Sequence, residues 1–181
     1  MVRPEELIEC LKRYDEQHSE KYKEFQPRLV SAIFKLGNIH NYICTEDKTF
    51  AGDEPRADLY IETERGRFII EAKLCITSGA SIAKGLLPKA KNVAMRLGIP
   101  HAPLVILTPK EKTDEAYAQL TRYLRYVMRE HGLHIPTHAF TLQYRIDIQD
   151  AITVHVRGLQ PDLLSILRNK YQISAILILP V

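Results

Sequence analysis

Polar and apolar residues alternate along two neighbouring segments of the chain, residues 58–62 and 67–74. A Thr-Glu-Arg-Gly stretch separates them, and such a polar, glycine-containing stretch is typical of a β-hairpin turn. Because successive side chains of a strand point to opposite faces, three charged residues share one face, namely Asp58, Glu71 and Lys73. The opposite face is apolar and carries Leu59, Ile61, Phe68, Ile70, Ala72 and Leu74. We therefore expect the apolar face to pack in the core and the charged face to form a site.

Two registers of this hairpin are compatible with the pattern. If Glu64 and Arg65 form a two-residue loop, Asp58 lies opposite Glu71. If the loop starts one residue later, Asp58 lies opposite Lys73. Both registers keep the three charged residues on one face. A solvent-facing hairpin edge with ordinary cross-strand ion pairs is the alternative interpretation of these residues.

Helices and strands are predicted on both sides of the hairpin. Apolar residues recur at helical spacing over 19–36, a glycine follows as a stop signal, and Pro27 implies a kink or a fresh helix start. A strand is predicted at 38–45. After the hairpin, a helix runs to Leu97 before a Gly-Ile-Pro stop, and a buried strand covers 103–107.

The second half of the chain continues this alternation of helices and strands. The pattern predicts a helix at 113–130, strands at 140–146 and 152–156, and a short helix that starts at Pro161. The closing run at 173–179 is hydrophobic on both faces, so it should be buried in the sheet or against a second subunit. Because no linker, repeat or low-complexity segment divides the 181 residues, we predict a single α/β domain.

The charged face of the hairpin carries the groups that a hard divalent cation and a phosphodiester require. Mg²⁺ takes oxygen ligands at about 2.0–2.1 Å, and one or two carboxylates plus a substrate phosphate are a typical set. We predict Asp58 and Glu71 as ligands of Mg²⁺ or Mn²⁺, to which the carbonyl of Ala72 could add another oxygen. Lys73 is predicted to orient or deprotonate the attacking water, or to offset the charge that develops on the phosphate.

The order helix, three strands, helix and strand, combined with Asp58, Glu71 and Lys73, resembles the PD-(D/E)XK nuclease superfamily. This is the fold of restriction endonucleases and Holliday-junction resolvases. The resemblance covers residues 19–108, a little over half of the chain. It departs from the family pattern at the proline and aspartate, which are usually adjacent, because two residues separate Pro55 from Asp58 here.

The resemblance implies a restriction-endonuclease-like αβββαβ core with a mixed sheet flanked by helices. An αββαβ extension at 109–181 would complete a single nuclease-like domain of residues 1–181. Many members of the family also place a glutamate on the first helix as a further ligand of the metal or the water. Glu24 is predicted for that catalytic role, with Glu20 and Gln26 as alternatives.

The activity that the resemblance implies is hydrolysis of DNA phosphodiester bonds by an activated water, with a divalent metal as cofactor. A chain with one such site must pair with another to cut both strands, so a homodimer is expected. A Holliday-junction or other structure-selective resolvase would use the same site, and the sequence does not separate these two activities. A non-catalytic nucleic-acid-binding protein on the same fold is the remaining alternative, which the intact Asp, Glu and Lys set disfavours.

The charge of the chain is compatible with a DNA partner without demanding one. The formal net charge is only +3, so attraction to DNA must come from where the cations are placed. Lys84, Lys89 and Lys91 follow the charged strand closely and are predicted to contact the DNA backbone. A second stripe on the predicted helix at 113–130 is expected to contribute less. It comprises Arg122, Arg125 and Arg129.

Cysteines and histidines carry no predicted site. Cys10, Cys44 and Cys75 are far apart and lack a Cys-x-x-Cys pair, so neither a zinc site nor a disulfide framework is supported, and a reducing cytoplasm fits best. Helix-breaking residues lie among three histidines, which are therefore not expected to converge on a metal. These are His131, His134 and His138.

Nothing in the sequence predicts a membrane segment. No apolar run approaches the roughly 18–20 residues of a membrane helix. The N-terminus opens a charged amphipathic helix rather than a signal sequence. We therefore expect a soluble, cytoplasmic protein.

Overall fold

The computed structural model describes residues 1–13, 20–45, 58–72, 86–99, 101–133, 142–148, 151–156 and 161–181. The helices within these segments are α1 (Pro4–Arg13), α2 (Glu20–Lys35), α3 (Leu87–Leu97), α4 (Thr113–Glu130) and α5 (Pro161–Tyr171). The strands are β1 (Ile39–Thr45), β2 (Asp58–Thr63), β3 (Gly66–Ala72), β4 (Ala102–Thr108), β5 (Leu142–Ile148), β6 (Ala151–Val156) and β7 (Ile173–Pro180). A 3₁₀ turn at Lys110–Lys112 links β4 to α4.

Five of the strands form one mixed sheet in the order β1, β2, β3, β4 and β7. The first three strands are antiparallel, whereas β3 pairs with β4 and β4 pairs with β7 in parallel. Parallel neighbours need a crossover connection, and α3 lies in the connection between β3 and β4. Strands β5 and β6 pair with each other in a separate two-stranded sheet. The protein is thus α/β, with a five-stranded mixed sheet flanked by helices.

Helices cover both faces of the five-stranded sheet. On one face, side chains of α1 and α2 such as Leu7, Leu29 and Ile33 share a buried cluster with Leu59, Ile61 and Ile70 of the hairpin. On the other face, side chains of α3, α4 and α5 such as Val93, Leu124 and Leu167 share a cluster with Tyr60, Ile69 and Ile106. The core therefore lies in two layers, one on each side of the sheet.

Strand β4 explains why its sequence is a continuous apolar run. Leu104 and Ile106 are buried in the layer with α3, and Val105 and Leu107 are buried in the layer with α1 and α2. A strand that is covered on both faces needs apolar residues at consecutive positions rather than at alternate ones. The closing strand β7 pairs with β4 at the edge of the sheet, where Ile173, Ile176, Ile178 and Leu179 are buried and the other residues are half-buried. The burial in the sheet expected for β7 is therefore seen at these four residues, and its burial against a second subunit stays a prediction.

Helix boundaries follow the signals in the sequence, with one difference at Pro27. Helix α3 ends at Leu97 as predicted, because Gly98 adopts the left-handed conformation at φ 62° and its neighbour Ile99 donates a backbone hydrogen bond to Ala94 over 2.9 Å. Helix α4 has the predicted bounds. Helix α2 continues through Pro27 without a break in its assignment, so the fresh helix start that Pro27 allowed does not occur.

The prediction that the cysteines form no disulfide is wrong for one pair. Cys10 of α1 and Cys44 of β1 form a disulfide, with their Cα atoms 6.3 Å apart. They are 34 residues apart in the sequence, and separation along the chain does not report proximity in the fold. The N-terminal segment also reaches β1 through a backbone hydrogen bond from Val2 to Ile39 over 3.1 Å. Cys75 lies outside the described residues.

Within the part of the chain that the structure describes, no helix has both the length and the apolar character needed to cross a membrane.

Candidate active site

The hairpin adopts the first of the two predicted registers. Glu64 and Arg65 form the loop, Thr63 pairs with Gly66, and Asp58 pairs with Glu71. The Thr63 hydroxyl fixes this turn, because it accepts a hydrogen bond from the Arg65 backbone N–H over 3.1 Å and donates one to the Gly66 carbonyl over 3.2 Å. Since register is constant along a regular ladder, the turn chemistry decides which residue faces Glu71.

The start of β1 holds the same turn from the side. The Asn38 amide donates a hydrogen bond to the Glu64 carboxylate over 2.7 Å. The Glu64 backbone N–H in turn donates to the Asn38 carbonyl over 3.2 Å. A side-chain and a backbone bond to one residue leave the turn little freedom to shift the register.

The apolar face of the hairpin packs as predicted, but the charged face is not open along its length. Leu59, Ile61, Ile70 and Ala72 are buried against α1 and α2. On the face of Asp58 and Glu71, the intervening Tyr60 and Ile69 are buried in the other layer, beside α3. The charged face is therefore covered by helix α3, and its polar residues lie at the two ends of the hairpin.

Glu71 lies at the inner end of the hairpin, in a buried ion pair with Lys89 of α3. The Lys89 Nζ is 3.5 Å from the Glu71 Oε1, and both side chains are only 5% exposed. Glutamate and lysine are almost never buried to this degree unless they are paired. Glu71 is also one residue from the carboxyl end of β3, next to the parallel strand β4. Crevices beyond the carboxyl ends of parallel strands are the usual location of ligand sites in such sheets.

Lys89 reaches Glu71 because it belongs to the inward side of α3. Leu86, Ala90 and Val93 are buried. Lys89 lies three residues after Leu86 and four residues before Val93. At 3.6 residues per turn, these positions share one face of a helix. No feature used for prediction from the sequence indicated this contact. The available signal was a lysine within an otherwise apolar stripe, which indicates a cation that points into the protein.

The outer end of the hairpin carries a second ion pair, which is exposed. The Arg67 Nε donates to the Glu62 Oε1 over 3.1 Å, with 59% of the arginine and 33% of the glutamate side chain exposed. The buried Tyr60 hydroxyl donates to the same Glu62 oxygen over 2.9 Å. Burial, followed by this hydrogen bond, raises the pKa of Tyr60 to about 12. Tyr60 is therefore a neutral hydrogen-bond donor at neutral pH.

The other predicted ligands are described to different extents. Asp58 is the first residue of β2 and pairs with Glu71, but its side chain lies outside the described part of the structure. Ala72 is the buried last residue of β3. Lys73 lies outside the described residues. The relation between Asp58 and Glu71 thus rests on the strand register.

The three candidates for a further ligand of the metal or the water, Glu20, Glu24 and Gln26, belong to helix α2. Helix α2 packs on the face opposite to the one that carries Glu71 and Lys89. Glu24 is exposed there, whereas Gln26 is 5% exposed and buried. The side chain of Glu20 lies outside the described part. Glu24 as a catalytic residue stays a prediction, for which its exposure gives no support.

The predicted contacts to DNA separate into buried and accessible residues. Lys89 is buried against Glu71, so a phosphate would have to enter the site to reach it. Lys91, two residues further along α3, is half-buried, and Lys84 lies outside the described residues. On α4, Arg122 and Arg129 are exposed and Arg125 is half-buried, whereas Leu120, Leu124 and Val127 pack inward as expected.

The histidines form no described metal site. His131 follows the end of α4, and its Nδ1 is 3.0 Å from the Nζ of Lys170. His134 and His138 lie outside the described residues. Over the segments that the structure describes, no three His, Cys, Asp or Glu side chains are grouped so that they could hold a metal ion.

Comparison with known proteins adds no relative. No family model, no curated protein and no solved structure matches this chain. The likeness to PD-(D/E)XK nucleases therefore stays a resemblance, carried by the motif residues and the order of the elements. Any function must be argued from the residues and their geometry.

Proposed function

We propose that this chain is a divalent-metal-dependent DNA endonuclease that acts at Asp58, Glu71 and Lys73. The observation that carries the proposal is the hairpin register, which pairs Asp58 with Glu71 at the inner end of β2 and β3. Side chains directly opposite each other in an antiparallel pair have Cβ atoms roughly 4.5–5.5 Å apart. Two carboxylates at that separation can share one cation. Glu71 supplies one of them in a buried environment that already holds a cation, the ammonium of Lys89.

The donor set fits magnesium or manganese. Both candidate side chains are carboxylates, and the carbonyl of Ala72 follows Glu71 at the end of β3. When bound, the metal would act as a Lewis acid on a phosphate oxygen and lower the pKa of a coordinated water. Lys73, which the alternation of the sequence predicts on the same face as Glu71, would donate a hydrogen bond that orients the water or balances charge on the phosphate. In hydrolysis the water loses a proton and its oxygen bonds to phosphorus, while the P–O bond to the leaving strand breaks and the leaving oxygen takes up a proton.

DNA and a second copy of the chain complete the proposal. The candidates for contact with the DNA backbone are Lys84, which lies outside the described residues, and Lys91, which is half-buried on α3. Duplex cleavage needs two sites, so we propose a homodimer. Sedimentation at micromolar concentration with and without duplex DNA tests this. A monomer under both conditions would exclude the dimer and leave single-strand nicking.

A non-catalytic nucleic-acid-binding protein is the second candidate, and one observation favours it. The Glu71–Lys89 pair satisfies both charges without a metal, as a purely structural ion pair would. The two candidates differ in what a divalent metal does. A nuclease needs the metal for a product, whereas a binding protein needs none for affinity.

The deciding experiment is a cleavage panel. Supercoiled plasmid, linear duplex and a four-way junction are each incubated with Mg²⁺, Mn²⁺ or EDTA. We expect metal-dependent products that Asp58→Asn abolishes, and selective cutting of the junction would identify a resolvase. DNA binding without any product in Mg²⁺ or Mn²⁺ would reject the nuclease and support the binding protein.

A further inference from the structure

Lys89 has no role in the proposed reaction, although it lies beside Glu71. Its side chain extends from the inward stripe of α3, and its ammonium lies 3.5 Å from the Glu71 carboxylate at 5% exposure. A half-buried lysine on the same helix, Lys91, shows that α3 also offers positions where a lysine can remain partly in water. Removing a lysine from water is costly, so the position of Lys89 calls for a specific role.

The charges around Glu71 indicate that role. Glu71 brings a buried negative charge to the inner end of the hairpin, and Lys89 brings a buried positive charge 3.5 Å from it. The two charges of this pair therefore balance without a metal. A divalent cation adds two charges to this group and must share the Glu71 carboxylate with the Lys89 ammonium.

We propose that Lys89 is the resident counter-ion of Glu71 and competes with the divalent metal for this carboxylate. The inference rests on the proposed function, because it assumes that Glu71 is a metal ligand. In the metal-free protein, Lys89 neutralises a buried carboxylate that would otherwise disfavour folding. In the metal-bound protein, the like charges of Lys89 and the metal repel each other. Lys89 thus lowers the affinity for free metal and is a positioning residue rather than a ligand.

The test measures metal binding directly and compares three variants with the natural protein. Mn²⁺ alone is titrated calorimetrically into the natural protein, Lys89→Met, Lys89→Arg and Lys91→Met. Methionine keeps the length of the lysine stem and removes the ammonium group, with its charge and its hydrogen-bond donors. We expect Lys89→Met to bind Mn²⁺ at least about tenfold more tightly, because a repelling charge a few ångströms away is lost. Lys89→Arg and Lys91→Met should stay near the natural value.

A second readout covers a variant that folds poorly. We expect Lys89→Met to melt at a lower temperature in EDTA and to regain most of the difference in Mn²⁺, because the metal replaces the lost counter-ion. The double variant Glu71→Gln/Lys89→Met should fold in EDTA and gain nothing from Mn²⁺. A Lys89→Met chain that stays unfolded in Mn²⁺ while this double variant folds would overturn the proposal.

The outcomes also separate this inference from the proposed function. If the natural protein and a folded Lys89→Met variant both bind no Mn²⁺, the metal site itself is rejected and the counter-ion role falls with it. If the natural protein binds Mn²⁺ and Lys89→Met binds it equally or more weakly, only the role of Lys89 is rejected. A merely structural lysine predicts this second result, since its loss would loosen the site.

Discussion

Two ion pairs lie at the two ends of the hairpin, and they differ in solvent exposure and in the free energy that each pair contributes. Glu62 and Arg67 lie near the turn, with a third or more of each side chain exposed, whereas Glu71 and Lys89 are 5% exposed at the inner end. Exposed pairs contribute about 0–1 kcal/mol, since water screens them and ordering two side chains costs entropy. Moving two charges out of water costs several kcal/mol per ion, and the attraction between the two ions must offset this cost.

The comparison shows which of the two pairs calls for a functional explanation. The outer pair lies where cross-strand neighbours meet in solvent and fits the interpretation of an ordinary hairpin edge. The inner pair joins residues 18 positions apart in sequence and from different elements. A well-packed apolar pair of similar volume would often be equally stable there. We therefore propose that the inner end of the hairpin, rather than the outer end, carries the function.

The largest expected difference between the two ends is in catalysis. Glu71→Gln should lower Mg²⁺-dependent DNA cleavage at least about 1,000-fold, since a lost metal ligand removes several kcal/mol of transition-state stabilisation. Glu62→Gln, the matched change on the same face, should alter the rate by no more than about twofold. Initial cleavage rates at saturating Mg²⁺ provide the measurement. Equal losses in the two variants would place the outer end in the site as well.

The next difference is in stability. Lys89→Ala should lower the free energy of unfolding by about 3–5 kcal/mol, because it removes the ammonium that is paired with the buried Glu71 carboxylate. Arg67→Ala at the exposed pair should cost about 0–1 kcal/mol. Urea unfolding in EDTA measures both values.

A double variant sharpens the stability comparison. Glu71→Gln/Lys89→Met should regain most of the loss of Lys89→Ala, because both charges of the buried pair are removed together. A double variant as unstable as Lys89→Ala would mean that packing of the lysine stem, rather than its charge, stabilises this end.

Alkaline pH tests the hydroxyl that joins the outer pair. The pKa of Tyr60 is about 12 in the folded protein, chiefly because of burial, and about 10 in the unfolded chain. The unfolded chain therefore loses this proton at a lower pH than the folded protein does. The contribution of the neutral Tyr60 hydroxyl to the free energy of unfolding is fully present below pH 10 and is lost as the pH rises towards 12. Tyr60→Phe should reduce the slope of this loss by up to about 1.4 kcal/mol per pH unit. Denaturant unfolding at pH 9, 10 and 11 measures the slope, and an unchanged slope would contradict the shift.

The smallest expected effect distinguishes two lysines of α3 in DNA binding. Lys91→Ala should flatten the dependence of log affinity on log salt by up to about 0.9, the value for one lost phosphate contact. Lys89→Met should leave this slope nearly unchanged, because its ammonium is engaged by Glu71. Fluorescence anisotropy over a salt series provides the slopes. A larger change in this slope for Lys89→Met than for Lys91→Ala would show that Lys89 contacts the DNA backbone.

The sequence alone determined the local part of this structure. Alternation at 58–62 and 67–74 assigned Leu59 and Ile70 to the core face, and helical spacing gave the bounds of α4. These features depend on periods of two and 3.6 residues, which a short window of sequence contains. The hairpin register was narrowed to two choices, and the bonds of Thr63 and Asn38 to the turn decided between them.

Only the tertiary structure decided which distant residues meet. The same pattern that marked Glu71 gave no reason to pair it with Lys89, and the spacing of Cys10 and Cys44 gave no sign of a disulfide. The sequence likewise left open whether β7 is buried in the sheet or against a second subunit, and only the structure shows that its neighbour in the sheet is β4. Each of these contacts depends on how a helix or strand is placed over the sheet. That placement results from the packing of the whole core, and so no local period in the sequence encodes it.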